Sequence, residues 1–93
     1  MIVGTALIEL HIPGSTSLKA KRSVLNRIKE RLKSRFNASV AEVDHHDLWQ
    51  RASIGIALVG MERGVVENTL AKMVEVIESD DRAQIIALDK QFY

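Results

Sequence analysis

Residues 38–61 read ASVAEVDHHDLWQRASIGIALVGM. Two runs rich in apolar and β-branched residues, 38–44 and 52–61, flank a polar connection at 45–51. Alternation in the first run sets Val40, Glu42 and Asp44 against Ser39, Ala41 and Val43. In the second it sets Ile54, Ile56 and Leu58 against Ser53, Gly55, Ala57 and Val59. Both patterns are those of strands with two unlike faces, and no helical pattern separates them.

Working outward, residues 2–12 form another β-branched run that stops at the only proline, Pro13, followed by Gly14. Glu9 and His11 alternate with Ile8, Leu10 and Ile12, marking a covered and an open face. Ser15, Thr16 and Ser17 offer cap hydroxyls before a long helix. At 100° per residue, Leu18, Leu25, Ile28, Leu32 and Phe36 share one sector, and Asn37 is a helix stop. Beyond the paired strands, Glu62 and Arg63 open a second helix with an apolar stripe of Val66, Leu70, Met73, Val74 and Ile77, ended by Ser79, Asp80 and Asp81. Residues 83–92 supply a last strand.

The order β-α-β-β-α-β predicts a single α+β domain over 1–93, a ferredoxin-like βαββαβ sandwich. Two helices cover one face of a four-stranded antiparallel sheet. Right-handed crossovers place the first and third strands in the centre. The name concerns shape alone, because the chain has no cysteine to hold an iron–sulfur cluster.

Charge is distributed unevenly. Of thirteen Lys and Arg, eight lie in 17–36 (SLKAKRSVLNRIKERLKSRF) against one acid, Glu30, leaving +7 there, while five bases and eleven acids elsewhere leave −6. Such asymmetry hints at a polyanionic partner. Arg22, Asn26, Lys29 and Lys33 follow i, i+4, i+7, i+11 along one flank, and Arg27 and Arg31 line another. With Lys19 and Lys21 in support, these rows match phosphates spaced along a nucleic-acid backbone. The competing reading is a solvated face, or one paired with acids of this chain or of a partner subunit. The fold also hosts sheet-face RNA readers that stack bases on strand aromatics. Residues 2–12 and 52–61 contain no Phe, Tyr or Trp, so RNA contact is expected on the helix and loops instead.

Other groups are weaker candidates. Glu42, Asp44, His45, His46 and Asp47, with His11 and Glu9 near, offer metal-ligand chemistry without an established ligand spacing. No cofactor is implied. Trp49 is expected to fold back as a lid over the core, the alternative being an exposed anchor. No nucleophile motif or phosphate loop occurs, and a non-enzymatic role is expected. The open sheet face, expected to carry Leu7, Val40, Ser53, Gly55, Ala57 and Val59, favours a homodimer, and the last strand is a long edge. No apolar run is long enough to span a bilayer and no leader pattern opens the chain, so no membrane partner and a cytoplasmic location are expected.

Several phrases together resemble the YlxP-like family of small bacterial proteins, a domain of unknown function. They are Ser17, Leu18, Lys19, Lys21 and Arg22 at the helix start, then Arg35, Phe36 and Asn37. Ser39, Val40, Ala41 and Glu42 follow, then Asp47, Leu48, Trp49, Gln50, Arg51 and Ala52. The resemblance implies the same ferredoxin-like fold and labels no residue catalytic. Members are often encoded near translation and ribosome-maturation factors, which implies an RNA or ribosome partner.

Overall fold

A computed structural model describes all 93 residues. The elements are β1 (Ile2–His11), α1 (Leu18–Arg35), β2 (Ser39–Asp44), β3 (Arg51–Gly60), α2 (Arg63–Glu78) and β4 (Gln84–Phe92). All strands join one sheet in the order β2-β3-β1-β4, with antiparallel pairing throughout. The βαββαβ sandwich is thus the observed architecture, with β1 and β3 central and β2 and β4 at the edges.

Alternation on the central strands decides which face is covered. Ala6, Ile8 and Leu10 of β1 and Ala52, Ile54, Ile56 and Leu58 of β3 are buried beneath the helices. The α2 stripe of Val66, Leu70, Met73, Val74 and Ile77 is buried against them as its periodicity predicts. Burial of each such side chain contributes about 1.5–3 kcal/mol. The first half of α2 approaches the sheet so closely that a methyl at Gly4 would run into Val66 and Leu70, and one at Gly60 would meet Val66 Cγ2 at 2.7 Å. Glycine at those two positions lets the helix dock. Arg63 closes this end by lying 4.6 Å over the Phe92 ring.

Two irregularities matter for the surface. The β1–β4 register shifts between Glu9 and Leu10, and the β2–β3 register shifts between Glu42 and Asp44. Before the second shift, Val40 pairs Ile56 and Glu42 pairs Ile54, so both point toward the helices. Val40 is therefore a core residue, 4% exposed, rather than part of the open face. Its side is fixed by its partner on β3, which alternation within β2 alone does not reveal. The extra residue at the bulge also breaks the expected grouping of Asp44 with Val40 and Glu42, because Asp44 pairs Ser53 of the open face.

Candidate functional site

The basic helix is held at both ends by local chemistry. Ser17 is extended (φ −162°, ψ 163°) and its hydroxyl accepts from the Ala20 N–H at 3.0 Å. At the other end Phe36 N–H donates to Leu32 O at 2.9 Å, and Lys33 and Arg35 oppose the negative helix terminus. The buried side consists of Lys21, Val24, Leu25, Ile28 and Leu32. Leu18 and Phe36 lie at its partly buried ends.

Lys21 departs from the expected phosphate row. It is 1% exposed, with Nζ donating to His45 O at 2.6 Å and standing 2.9 Å from Glu42 Oε2. The second contact is an ion pair without good hydrogen-bond alignment, so that carboxylate oxygen is buried without an aligned donor. Lys21 is thus a structural cation, unavailable to an external phosphate. The reason is angular: it sits in the middle of the apolar sector, where the only compensation is a carboxylate on the facing strand. Its position within that sector, and Glu42 sharing an alternation with Val40, were the signals that could have exposed the pair.

The other expected residues remain at the surface. Arg22 is exposed and its Nη1 lies 3.9 Å from Glu42 Oε1. Lys19, Asn26 and Lys33 are exposed and Lys29 half-buried, which leaves a continuous outer flank. Of the eight Lys and Arg in 17–36, only Lys21 and Arg22 have an ion-pair partner within the chain. Lys19, Arg27, Lys29, Arg31, Lys33 and Arg35 have none.

Arg27 and Arg31 face a different environment. With Ser79, Asp80, Asp81 and Arg82 they line an open cleft of about 370 Å³ that has no hydrophobic side chain. Arg82 grips the buried Asp80 through Nε to Oδ1 at 3.0 Å and Nη2 to Oδ2 at 2.7 Å, and its own N–H reaches Oδ1 at 3.0 Å. These hydrogen bonds from Arg82 hold the Asp80 carboxyl below its ordinary range against the opposing effect of burial, and the Arg31 charge adds to the lowering. Arg27 and Arg31 therefore face a mixed set of carboxylates and a guanidinium at α2's end, although neither forms an ion pair there.

The polar loop between β2 and β3 brings together some of the suspected ligand residues. Glu9 accepts from Ser53 Oγ at 2.6 Å, with His45 Nε2 at 3.4 Å and Arg51 Nη2 at 3.9 Å from its other oxygen. His46 Nε2 is 3.9 Å from Glu42 Oε1. His11 turns instead toward Gln84, at 3.4 Å. No three His, Asp or Glu side chains converge in a metal-binding geometry. His45 is the only non-glycine residue with positive φ, 62°, and the Lys21 contact to its carbonyl helps hold that conformation. Trp49 does not close the core. It is 54% exposed beside exposed Leu48, because the loop's anchors lie at its backbone and at Gln50.

Comparison with known proteins places the chain. Residues 3–90 match the family model described as protein of unknown function (DUF503). The uncharacterized protein YlxP of Bacillus subtilis (strain 168) is 41% identical over 78 residues, covering 84% of this chain and 85% of that protein. Among solved structures, the de novo designed protein Foldit4 superposes with a TM-score of 0.57 at 12% identity, over 100% of this chain and 97% of that one. SnoaB, a cofactor-independent oxygenase from Streptomyces nogalater, gives 0.57 at 8% identity, over 100% and 92%. At such identities the likeness is one of fold alone. No helix is long and apolar enough to cross a membrane. The family match across nearly the whole chain and the extended identity to YlxP together make this protein a member of the DUF503 family.

Proposed function

We propose that the protein is a non-enzymatic accessory factor that binds RNA, free or within the ribosome, through the outer flank of α1. The observation that carries this reading is the unpaired flank. Lys29, Lys33 and Lys19 have no acidic partner in a chain that holds twelve acids, and Arg22 has only a distant one. A row of cations left without internal neutralisation is suited to phosphates, whose contact releases condensed counterions. Arg27 and Arg31 support the field from the other flank, and Lys21 keeps a purely structural part.

The test is a titration with structured RNA at two salt concentrations, using the unmodified protein and an Arg22→Glu, Lys29→Glu, Lys33→Glu variant. Affinity should fall steeply with salt for the former and be largely lost in the latter. Equal affinity for both proteins, at both salts, would sink the proposal.

A second reading is favoured by the uncovered sheet face. Leu7, Val43 and Val59 are exposed there, and a shallow concavity of about 370 Å³ is lined by Leu7, Val43, Ala41, Gly55 and Ala57 among others. A second copy of the chain would cover these exposed apolar side chains. Sedimentation across a wide concentration range tests it: a dimer is expected, disrupted by Leu7→Glu, and a persistent monomer removes this reading.

A further inference from the structure

The connection from β2 to β3 presents its side chains from an unusually well-fastened backbone. Lys21 Nζ holds His45 O at 2.6 Å, and His45 N–H donates to Asp44 Oδ1 at 2.7 Å. Leu48 N–H closes a turn onto His45 O at 3.1 Å. At the far end Ile12 N–H donates to Gln50 O at 2.8 Å, while Gln50 Nε2 reaches both Pro13 O and Ser15 O at 3.2 Å. Trp49 stands between these anchors and is nevertheless 54% exposed. A tryptophan left open on a fixed backbone loses little conformational freedom when something stacks on it.

The loop also adjoins the outer flank of α1. Lys21, which holds His45, is the sequence neighbour of Arg22. His46 and Arg22 reach the same oxygen, Glu42 Oε1, at 3.9 Å each. Trp49 is therefore carried, three residues after His46, on the loop that adjoins the Arg22 end of the row Arg22, Lys29, Lys33. Cations that track a phosphate backbone beside an open aromatic face make up the recognition chemistry of single strands. A duplex offers no free base face at its side, and its bases are already stacked on one another.

Resting on the RNA reading of the flank, we propose that Trp49 is a base-stacking platform and that the preferred ligand is a single-stranded segment or loop of RNA. The phosphates run along Arg22, Lys29 and Lys33, and an unpaired base leaves the strand to stack on Trp49. The net charge of +7 over residues 17–36, on the helix that the loop adjoins, favours this polyanionic occupant over an apolar peptide.

Trp49 is the sole tryptophan, so emission excited selectively at tryptophan, clear of Tyr93, reports on that position alone, and the affinities of all variants are compared by the anisotropy of end-labelled RNA. The full chain is titrated with oligouridylate and oligoadenylate of about ten nucleotides and with a mixed-sequence RNA duplex of similar length. Single strands should quench the emission and bind more tightly than the duplex. Trp49→Ala should weaken single-strand binding by about ten-fold or more while leaving duplex binding within about two-fold, and Trp49→Phe should recover much of the loss. The Ala and Phe variants should melt within a few degrees of the parent, as expected at an exposed site. Single-strand binding abolished by Arg22→Glu, Lys29→Glu, Lys33→Glu yet unchanged in Trp49→Ala would overturn the stacking role and leave the flank reading intact. No binding to any of the RNAs would overturn both. Quenching by a protein partner with none by RNA would equally overturn the proposal and make Trp49 a protein anchor.

Discussion

The two helices rest on the same sheet face with similar apolar stripes, yet they differ in nearly everything else. The buried side of α2 is wholly aliphatic or Met, and its ionisable residues, two bases and three acids, nearly cancel. The buried side of α1 includes a lysine, and its outward surface is almost uniformly cationic. Core packing asks only for one stripe per helix. Whatever lies outside that stripe is free to serve another purpose, and α1 is where the excess charge is concentrated. The lysine inside the stripe shows a further use: it ties the helix to β2 and to the following loop.

The largest expected effect breaks that tie. Lys21→Met should destabilise the fold by about 3–5 kcal/mol in denaturant unfolding, because Glu42 is left buried without its cation. A Lys21→Met, Glu42→Leu double variant should recover most of the loss, since an apolar pair at such a site is often neutral. The matching change on α2, Leu70→Ala, should cost about 2–5 kcal/mol through the cavity it leaves, and no second substitution of charge should rescue it. A rescue pattern common to both helices would erase the distinction between them.

Next come the helix starts. Ser17→Ala should lower stability by about 1 kcal/mol, the usual value of a capping hydroxyl. At α2 the cap position is Glu62, which makes no side-chain cap bond, so Glu62→Ala should be close to neutral. Thermal melts of the two variants compare them directly.

Surface charge should matter little to stability. Reversing Arg22, Lys29 and Lys33 together should change unfolding free energy by under about 1 kcal/mol, since exposed charges contribute little. RNA affinity should fall by at least about ten-fold in the same variant. Reversing Lys72 on α2 should leave both quantities unaltered. Equal losses of RNA affinity from either helix would dissolve the assignment of binding to α1.

The smallest effect concerns pH. The Asp80 carboxyl is depressed by Arg82, so its contribution is fully present above the ordinary carboxylate range and is lost as pH falls through the lowered folded value. Asp80→Asn should flatten the acid side of the stability profile by about 1 kcal/mol or less, because Arg82 is 41% exposed and screened. Arg82, held above its already high ordinary value, stays charged throughout and adds no pH dependence of its own.

Much of the fold was legible in the chain. Pro13 and Gly14 end β1, Ser17 caps α1, and every residue of the α2 stripe was identifiable from its period. The site was less legible. A helical wheel draws the two basic flanks and sets Lys21 inside the apolar sector and Arg22 outside it, but the carboxylate that compensates Lys21 lies on β2, beyond the reach of the wheel. Trp49 gave the opposite impression from its true exposure, because a lone indole in a polar loop is compatible with either location. Alternation alone puts Val40 on the wrong side, because the side presented by a short edge strand depends on its register with β3.

The sequence by itself determined the element order, the covered faces of β1, β3 and α2, and the concentration of positive charge between Ser17 and Phe36. These follow from periods of two and 3.6 residues and from simple counting, all of which are local. Only the tertiary structure decided which cations are free. Lys21 meets Glu42 and His45, and Arg31 acts on Asp80, across separations in the chain that no local pattern spans. Ion pairing depends on distance in space, and that distance is set by strand register and helix docking.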